Sequence, residues 1–270
     1  MVRSLGYERE YDETSPEISR LFDLSGRVAL ITGGASGLGR AIGLGFARFG
    51  ADIALVDLSA EGAAKVAAEI GQLGRRVEGF TADVTSWEQV AAVVDDVRSR
   101  FGRIDIAVNS AGGNIRGPIL EMTPDEWHRV LELNLSGTWN GARAVGAVMV
   151  EQRRGKIINL ASIYGHVAIE GNSAYAATKG GVVQLTRALA VEWAPFNVQV
   201  NCLAPTYIRT PLTGPVQADA ERMSQLNARS PIHRFGEAWE LIGPAVFLAS
   251  DASGLVTGHS LLVDGGWTAL

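Results

Sequence analysis

Short apolar runs alternate with longer amphipathic stretches along most of the chain. The runs are apolar at consecutive positions rather than at alternate ones, which is typical of strands that helices cover on both faces. The run at 75–83 has the weakest signal. The predicted strands are residues 27–32, 51–57, 75–83, 104–109, 155–161, 197–204 and 259–265.

In the stretches between these runs, apolar positions recur at three- and four-residue steps, as amphipathic helices require. Repeated strand–helix–strand connections imply right-handed crossovers and a parallel sheet. The chain is therefore predicted to be an α/β protein with a single Rossmann-type, doubly wound parallel sheet of about seven strands and helices on both faces.

No break in composition marks a second domain, so residues 23–270 are predicted to form one domain. Residues 1–22 are acidic and polar and predict an N-terminal extension, in which Ser15 and Pro16 are typical of a helix start. Residues 206–238 contain several prolines and little strand signal. They are predicted to form an insertion that acts as a substrate lid.

The composition argues against several classes of protein. A formal net charge of −5 disfavours nucleic acid as the main partner, because phosphate binding needs clustered lysine and arginine. No apolar run is long enough to span a bilayer, so no membrane partner is expected. The single Cys202 excludes an intramolecular disulfide framework and fits a reducing compartment, which predicts a cytoplasmic location and a buried, inert thiol. Since no histidine–carboxylate cluster has metal-ligand spacing, no catalytic metal is predicted.

A glycine-rich turn joins the first predicted strand to the first predicted helix. Gly33, Gly37 and Gly39 have the spacing G-x-x-x-G-x-G. Glycines at this point permit a tight turn and a close approach of the backbone to a pyrophosphate, which the N-terminus of the helix attracts. A purely structural turn is the alternative, but the place between strand and helix favours a dinucleotide-binding catalytic domain.

Asp57 ends the second predicted strand. A carboxylate at that place accepts hydrogen bonds from the adenosine ribose hydroxyls and repels a 2′-phosphate. Ala35 and Ser36 occupy the glycine turn where a basic residue could bind that phosphate, and Arg40 is expected on the helix that follows. The sequence therefore favours NAD over NADP as the cofactor.

Tyr175 and Lys179 lie four residues apart and project from the same face of a predicted helix. A nearby ammonium group favours the phenolate and lowers the pKa of a tyrosine from its usual value of about 10. Such a tyrosine can exchange protons near neutral pH. An exposed pair on a surface helix is the simpler interpretation of this segment alone, so the rest of the chain has to decide.

The positions of two further polar residues, Ser162 and Asn134, call for an explanation. Ser162 follows the fifth predicted strand, and ligands of doubly wound sheets gather at the carboxyl ends of the strands. Ser162 is therefore expected to meet the start of the helix that carries Tyr175. Asn134 stands within a predicted helix, where asparagine is a poor intrinsic choice, which indicates either a polar function or a kink.

From about residue 22 to residue 270 the chain resembles the classical short-chain dehydrogenase/reductase family. Asn134 and Ser162 match the family pattern, whereas Ser110 and Thr206 depart from the Asn and Gly that the family often has there. The matching segments are TGGASGLG at 32–39, NSAG at 109–112, YAATK at 175–179, PTYIRT at 205–210 and FLASDASGLVTGHSLLVDGG at 247–266.

This resemblance implies roles for four catalytic residues. Tyr175 is expected to be the general acid/base for the alcohol–carbonyl proton, and Lys179 to lower the pKa of Tyr175 and bind the nicotinamide ribose. Ser162 is expected to orient the substrate oxygen. Asn134 is expected to support a water molecule that links Lys179 to solvent.

The resemblance also implies a set of cofactor-binding residues. The glycine turn is expected to line the pyrophosphate, and Asp57 to bind the adenosine ribose. The implied set is Gly33, Ser36, Gly37, Leu38, Gly39, Asp57, Leu58, Asp83, Val84, Asn109, Ala111, Gly112, Tyr175, Lys179, Pro205, Ile208 and Thr210.

The likeness is greatest to members that act on gluconates, deoxygluconates and polyols. It implies an NAD-dependent oxidoreductase that interconverts a secondary alcohol and a ketone on a sugar acid or polyol. Arg116 could pair with the carboxylate of a sugar acid. Family members usually form tetramers or dimers, and a homotetramer is expected. The candidate substrate residues are Asn114, Arg116, Ile163, Tyr164 and His166.

Two other functions stay open at this point. Reductases of 3-oxoacyl thioesters share the same motifs, but Asp57 counts against one, because those enzymes commonly use NADPH and present basic residues there. A nucleotide-binding scaffold without chemistry is the third possibility. The intact set of Asn134, Ser162, Tyr175 and Lys179 argues against it.

Overall fold

Seven parallel strands form the central sheet of the computed structural model, which describes residues 17–270. Two further short strands pair with each other outside that sheet. The strands are β1 (Val28–Thr32), β2 (Asp52–Asp57), β3 (Val77–Thr81), β4 (Ile106–Asn109), β5 (Gly155–Leu160), β6 (Val198–Pro205), β7 (Ile208–Arg209), β8 (Gly236–Glu237) and β9 (Ser260–Val263).

The order across the large sheet is β3-β2-β1-β4-β5-β6-β9, so the chain winds outward in both directions from β1. That reversal of order beside β1 is the topological switch point of a doubly wound fold. Every strand predicted from the sequence overlaps one strand of this sheet. The predicted fold class is confirmed.

Helices cover both faces of the sheet. Alternate residues of β1 show why its apolar run is continuous: Ala29 and Ile31 belong to one buried core, and Val28 and Leu30 belong to the other. The helices are α1 (Gly37–Arg48), α2 (Ala60–Gly71), α3 (Trp87–Phe101), α4 (Pro124–Leu131), α5 (Gly137–Gln152), α6 (Ser173–Trp193), α7 (Gly214–Gln217), α8 (Ala220–Arg229) and α9 (Ile242–Ala249).

Residues 206–238 leave the main sheet after β6. Their base is tied together where Ile208 pairs with Gly236, and α7 and α8 lie between these two strands in the chain. The segment is thus more helical than its sequence indicated. Asp219 stabilises the start of α8, because its side chain accepts a hydrogen bond from the Arg222 amide.

The proposed helix start at Ser15 and Pro16 lies outside the described residues. What the structure describes of the predicted extension is a single 3₁₀ turn at Ile18–Arg20 and the residues after it. The Leu21 carbonyl accepts a hydrogen bond of 3.1 Å from the Ala252 amide, so this part of the extension contacts the domain.

Within residues 17–270, none of the helices has the length and apolar character needed to cross a membrane. The same residues contain no group of three or more His, Cys, Asp or Glu side chains arranged to hold a metal ion. Cys202 is a free, buried thiol, as its sequence context predicts.

Candidate active site

A cavity of about 610 Å³ opens at the carboxyl ends of the strands on both sides of β1. Its volume lies within the usual range of about 300–1,000 Å³ for sites that bind small molecules and cofactors. It extends from Asp57 at the end of β2 to Tyr175 on α6, so one continuous space joins the two regions that the sequence singled out.

The glycine turn forms one wall of the cavity because its backbone is folded tightly upon itself. Gly33 has φ +66°, and a Cβ there would lie 2.8 Å from the amide nitrogen of Ala111. A Cβ at Gly39 would overlap the carbonyl oxygen of Gly33. Gly37 begins α1 and lines the cavity, so the free amides of the first helical turn lie at this wall.

Replacing Gly39 by alanine is expected to lower the free energy of unfolding by about 1–3 kcal/mol, because overpacked side chains force the backbone to move. Cofactor binding should weaken in parallel, since the displaced atom is the Gly33 carbonyl beside the cavity. Denaturant unfolding of the purified variant measures the first effect. Gly71→Ala is the matched control: it is a helical glycine whose new Cβ would have no atom within 4 Å apart from its chain neighbours and its own helix backbone, and a gain in stability is expected there.

Asp57 lies where the resemblance requires it. Its Oδ2 accepts a hydrogen bond of 3.0 Å from the Ala35 amide, and its Oδ1 accepts one of 3.0 Å from the Ser59 amide. A carboxylate has about four lone-pair sites, so acceptor capacity is left for ribose hydroxyls. Arg40 is turned away to α2, where it forms an ion pair with Glu69. The glycine wall and Asp57 together fit an adenine dinucleotide.

Ser162, Tyr175 and Lys179 all line the other end of the cavity. The Ser162 hydroxyl accepts a hydrogen bond of 3.2 Å from the Tyr164 amide, and the Ser162 side chain is near enough to Tyr175 to act on the pKa of that phenol. The Lys179 ammonium lies 5.6 Å from the centre of the Tyr175 ring and donates a hydrogen bond of 2.6 Å to the Leu160 carbonyl. The pair is therefore not an exposed surface pair, because Lys179 is only 5% exposed.

The electrostatics of this pair differ from the expectation that Lys179 lowers the pKa of Tyr175. Burial has the largest effect and raises the pKa of Tyr175 to about 12, although the neighbouring Ser162 hydroxyl and the charge of Arg116 act in the opposite direction. Burial also lowers the pKa of Lys179 to about 8. In this geometry desolvation is the largest effect on both groups and disfavours the charged form of each.

Asn134 has both a polar function and an irregular helix. It lies in a π-helical turn, Glu132–Ser136, between α4 and α5. Its Oδ1 accepts a hydrogen bond from the Gly113 amide and its Nδ2 donates one to the Gly113 carbonyl, each of 2.9 Å. Asn134 therefore fixes the loop after β4, and its expected role in holding water near Lys179 stays a prediction.

Most of the residues implied by the resemblance line this cavity. Candidate substrate residues Asn114, Arg116, Ile163 and Tyr164 also do so. The implied cofactor residues that line it are Gly33, Ser36, Gly37, Leu38, Asp57, Leu58, Val84, Ala111, Gly112, Tyr175, Lys179, Pro205, Ile208 and Thr210.

Besides Asn134, which acts through the Gly113 backbone, four implied residues lie outside the lining. His166 is turned toward Ser260, with its Nε2 2.8 Å from the Ser260 hydroxyl, which does not support a substrate role. The Asp83 carboxylate accepts hydrogen bonds from Thr85 and so closes its own turn instead of facing the cavity. Asn109 is buried against the side chain of Asn159, where it joins β4 to β5, and Gly39 acts through the backbone overlap described above.

Tyr207 is a lining residue that sequence reasoning did not select. It lies in the segment PTYIRT, between two residues that were selected, so its place directly after β6 was the available signal. Leu212, Pro215 and Val216 of the 206–238 segment also line the cavity. The segment therefore borders the site, as a substrate lid would.

The fold and this cavity define a dinucleotide-binding α/β oxidoreductase with a serine, a tyrosine and a lysine at its reacting end. A family model described as enoyl-(acyl carrier protein) reductase matches residues 33–268. The chain belongs to the short-chain dehydrogenase/reductase family. It is an enzyme of that family and uses a nicotinamide cofactor.

Relatives of nearly the same length support this assignment. The chain is 44% identical over 247 residues to D-threitol dehydrogenase of Mycolicibacterium smegmatis. The matched region covers 92% of this chain and 95% of that protein. It is 42% identical to 2-dehydro-3-deoxy-D-gluconate 5-dehydrogenase of Pseudoalteromonas atlantica, with 91% and 97% covered. A solved gluconate 5-dehydrogenase from Burkholderia cenocepacia, in complex with NADP and tartrate, superposes with a TM-score of 0.90 at 41% identity and covers 93% of this chain and 98% of its own.

Proposed function

We propose that the protein interconverts a secondary alcohol and a ketone on a polyol or sugar acid, with Tyr175 as general acid/base and NAD as cofactor. The observation that carries the proposal is the single cavity that joins Asp57 to Ser162, Tyr175 and Lys179. The similar proteins named above act on a polyol and on sugar acids, which supports the substrate class.

The chain's own residues account for the proton transfer. When bound, the nicotinamide cofactor supplies or accepts the hydride. The Ser162 hydroxyl holds the substrate oxygen beside Tyr175, whose hydroxyl gives a proton to a ketone oxygen or takes one from an alcohol. Lys179, fixed by the Leu160 carbonyl, keeps a positive charge close to the oxygen on which negative charge develops.

The walls at the reacting end suit a polyhydroxylated substrate. Tyr164, Tyr207, Asn114 and Arg116, whose side chains all carry polar groups, line the cavity there. In the described part of the chain, Arg116 and Lys179 are the cations that line it, and Asp57 at the far end is the carboxylate that lines it. The reacting end therefore carries positive charge, which is compatible with a sugar acid as well as a neutral polyol.

The direct test is cofactor reduction at about pH 9, followed by absorbance of the reduced nicotinamide, with NAD and NADP assayed side by side. The alcohols are threitol, gluconate, 2-deoxygluconate, common hexitols and a 3-hydroxyacyl thioester. Turnover of a polyol or sugar acid supports the proposal. Turnover of the thioester alone contradicts it and identifies a 3-oxoacyl thioester reductase, whereas bound cofactor without any turnover indicates a scaffold.

The preference for NAD is proposed from Asp57 and from the absence of cations beside it among the lining residues that the structure describes. Asp57→Ala is expected to raise kcat/KM with NADP at least about tenfold relative to NAD, because a carboxylate repels the 2′-phosphate. Steady-state kinetics with both cofactors measure the ratio.

Asp52→Asn is the matched control for that change. Asp52 begins β2, as Asp57 ends it, but its carboxylate is paired with Arg75 outside the cavity lining. The cofactor ratio of this variant is expected to equal that of the wild type. The proposal would be contradicted by a wild-type enzyme that prefers NADP. NADP is the cofactor bound in the related gluconate 5-dehydrogenase structure.

A homotetramer assembled through α5 and α6 is the proposed quaternary structure. Exposed apolar side chains support it: Trp139 on α5 is 43% exposed and Val191 on α6 is 80% exposed. The sequence of α6 also offers an apolar stripe, Val182, Leu185, Leu189 and Trp193. It gives little support, because Val182, Leu189 and Trp193 pack into the chain's own core. The mass of the purified protein in solution tests the assembly.

A cytoplasmic location is proposed from the lone buried thiol of Cys202.

A further inference from the structure

Two tyrosine hydroxyls meet at one wall of the cavity. Tyr164, just after β5, and Tyr207, just after β6, have their hydroxyl oxygens 2.9 Å apart, and both side chains line the cavity. Neither belongs to the proposed acid–base machinery. The Tyr164 ring also meets the Tyr175 ring edge-on, with the ring centres 6.4 Å apart, so the pair lies next to the reacting end.

The two hydroxyls do not use all of their hydrogen-bond donors and acceptors on each other. Two phenols carry two O–H donors, and their mutual hydrogen bond uses one of them. Among the described residues, no other hydrogen-bond partner is found for either hydroxyl. Burial and the neighbouring Tyr207 raise the pKa of Tyr164 well above its usual value, so its hydroxyl keeps its proton. The pair therefore has one O–H donor and free lone pairs for a molecule in the cavity.

The surrounding side chains hold the pair rigidly. Phe235, from the end of the 206–238 segment, stacks on Tyr207 with ring centres 5.2 Å apart. Trp267, near the C-terminus, packs on Tyr207 at 5.8 Å and is only 7% exposed. Arg116 lies over the Tyr207 ring at 5.8 Å. A hydroxyl pair held from several sides loses little entropy when it binds a ligand.

We propose that Tyr164 and Tyr207 form a specificity-determining pair that recognises a second oxygen on the carbon next to the reacting carbinol. The inference rests on the proposed function and sharpens its substrate class to vicinal diols and the corresponding α-hydroxyketones. The pair donates one hydrogen bond to that oxygen and accepts one from its hydroxyl. A substrate without the second oxygen leaves this donor unpaired between two buried tyrosines, which disfavours its binding in the transition state.

The experiment compares two substrates that differ by one hydroxyl. kcat/KM is measured for cyclohexane-1,2-diol and for cyclohexanol with saturating NAD, in the wild type and in Tyr164→Phe and Tyr207→Phe. The ratio of diol to monohydric alcohol is expected to fall at least tenfold in both variants, which corresponds to the loss of about one hydrogen bond. Two variants are used so that one poorly folded protein does not decide the result.

Trp267→Phe is the control, because it loosens the same aromatic cluster without removing a hydroxyl. Its ratio is expected to stay within twofold of the wild type, whatever happens to its absolute rates. An unchanged ratio in both tyrosine variants, or an equal fall in Trp267→Phe, would overturn the inference and leave the proposed function intact. A wild-type enzyme that oxidises no alcohol with NAD or NADP contradicts the proposed function, and the inference with it.

Discussion

Replacing Tyr175 by phenylalanine is expected to lower kcat by about 10²–10⁴-fold, the usual contribution of positioned acid–base catalysis. The reason is that the variant loses the one hydroxyl that lies beside Ser162 and can exchange a proton with the substrate oxygen. The ring itself remains, with its edge-on contact to Tyr164, so the fold of α6 should be kept. Single-turnover reduction of the cofactor measures the loss.

The same variant should still bind NAD, because the glycine wall and Asp57 are far along the cavity from the substituted hydroxyl. Titration of the cofactor by fluorescence provides this control. Retention of more than about a tenth of the wild-type kcat, with NAD bound, would exclude Tyr175 as the general acid/base.

The pH dependence of the wild type follows from the same group. Burial raises the pKa of Tyr175 to about 12, so at neutral pH the hydroxyl is protonated. Alcohol oxidation needs it to accept a proton and should accelerate as the pH rises from 6 to about 8, where deprotonation of Lys179, whose pKa burial lowers to about 8, begins to oppose the gain. Ketone reduction needs it to donate one and should not gain over that range.

Lys179→Met is expected to lower kcat by roughly 10²-fold, because it removes the positive charge closest to the developing oxyanion. Methionine is also unbranched but cannot donate to the Leu160 carbonyl, with which Lys179 forms a hydrogen bond of 2.6 Å. Since burial lowers the pKa of Lys179 to about 8, the wild-type pH–rate profile should contain an ionisation near pH 8 that this variant lacks. Steady-state rates between pH 6 and 10 measure both effects.

Lys156→Met separates this catalytic effect from the cost of losing a buried lysine. Lys156 is buried to nearly the same degree, donates a hydrogen bond of 3.2 Å to the Ser253 hydroxyl, and also has its pKa lowered to about 8 by burial. It does not line the active-site cavity. The variant should lose stability but keep the pH profile of the wild type. An equal loss of kcat in both variants would show that the effect at Lys179 is structural.

Local patterns determined much of this protein. The consecutive apolar positions of β1 are explained by burial on both faces, and the glycine spacing by the overlap that any Cβ at Gly39 would cause. The i, i+4 spacing of Tyr175 and Lys179 does place both in one pocket. These features depend on backbone geometry and on near neighbours in the chain, which a sequence displays directly.

Other features depended on contacts between distant segments. Tyr164 and Tyr207 are 43 positions apart, and only the pairing of β5 with β6 brings their hydroxyls together. His166 stands close to Ser162 in the chain, yet it turns toward Ser260. Asp83 satisfies its own turn instead of facing the cavity.

The sign of the pKa shift at Tyr175 was also decided by tertiary structure. The spacing of Tyr175 and Lys179 predicts attraction between their charges, but desolvation depends on how many atoms the whole fold packs around them. The sequence alone determined the α/β fold and the cofactor-binding turn, because these follow from periodicity and residue type, whereas the roles of Asn134, Ser162, Tyr175 and Lys179 are implied by the family resemblance of their segments. The shape and electrostatics of the substrate pocket were decided by the tertiary structure, because they arise from side chains that meet only after the sheet has assembled.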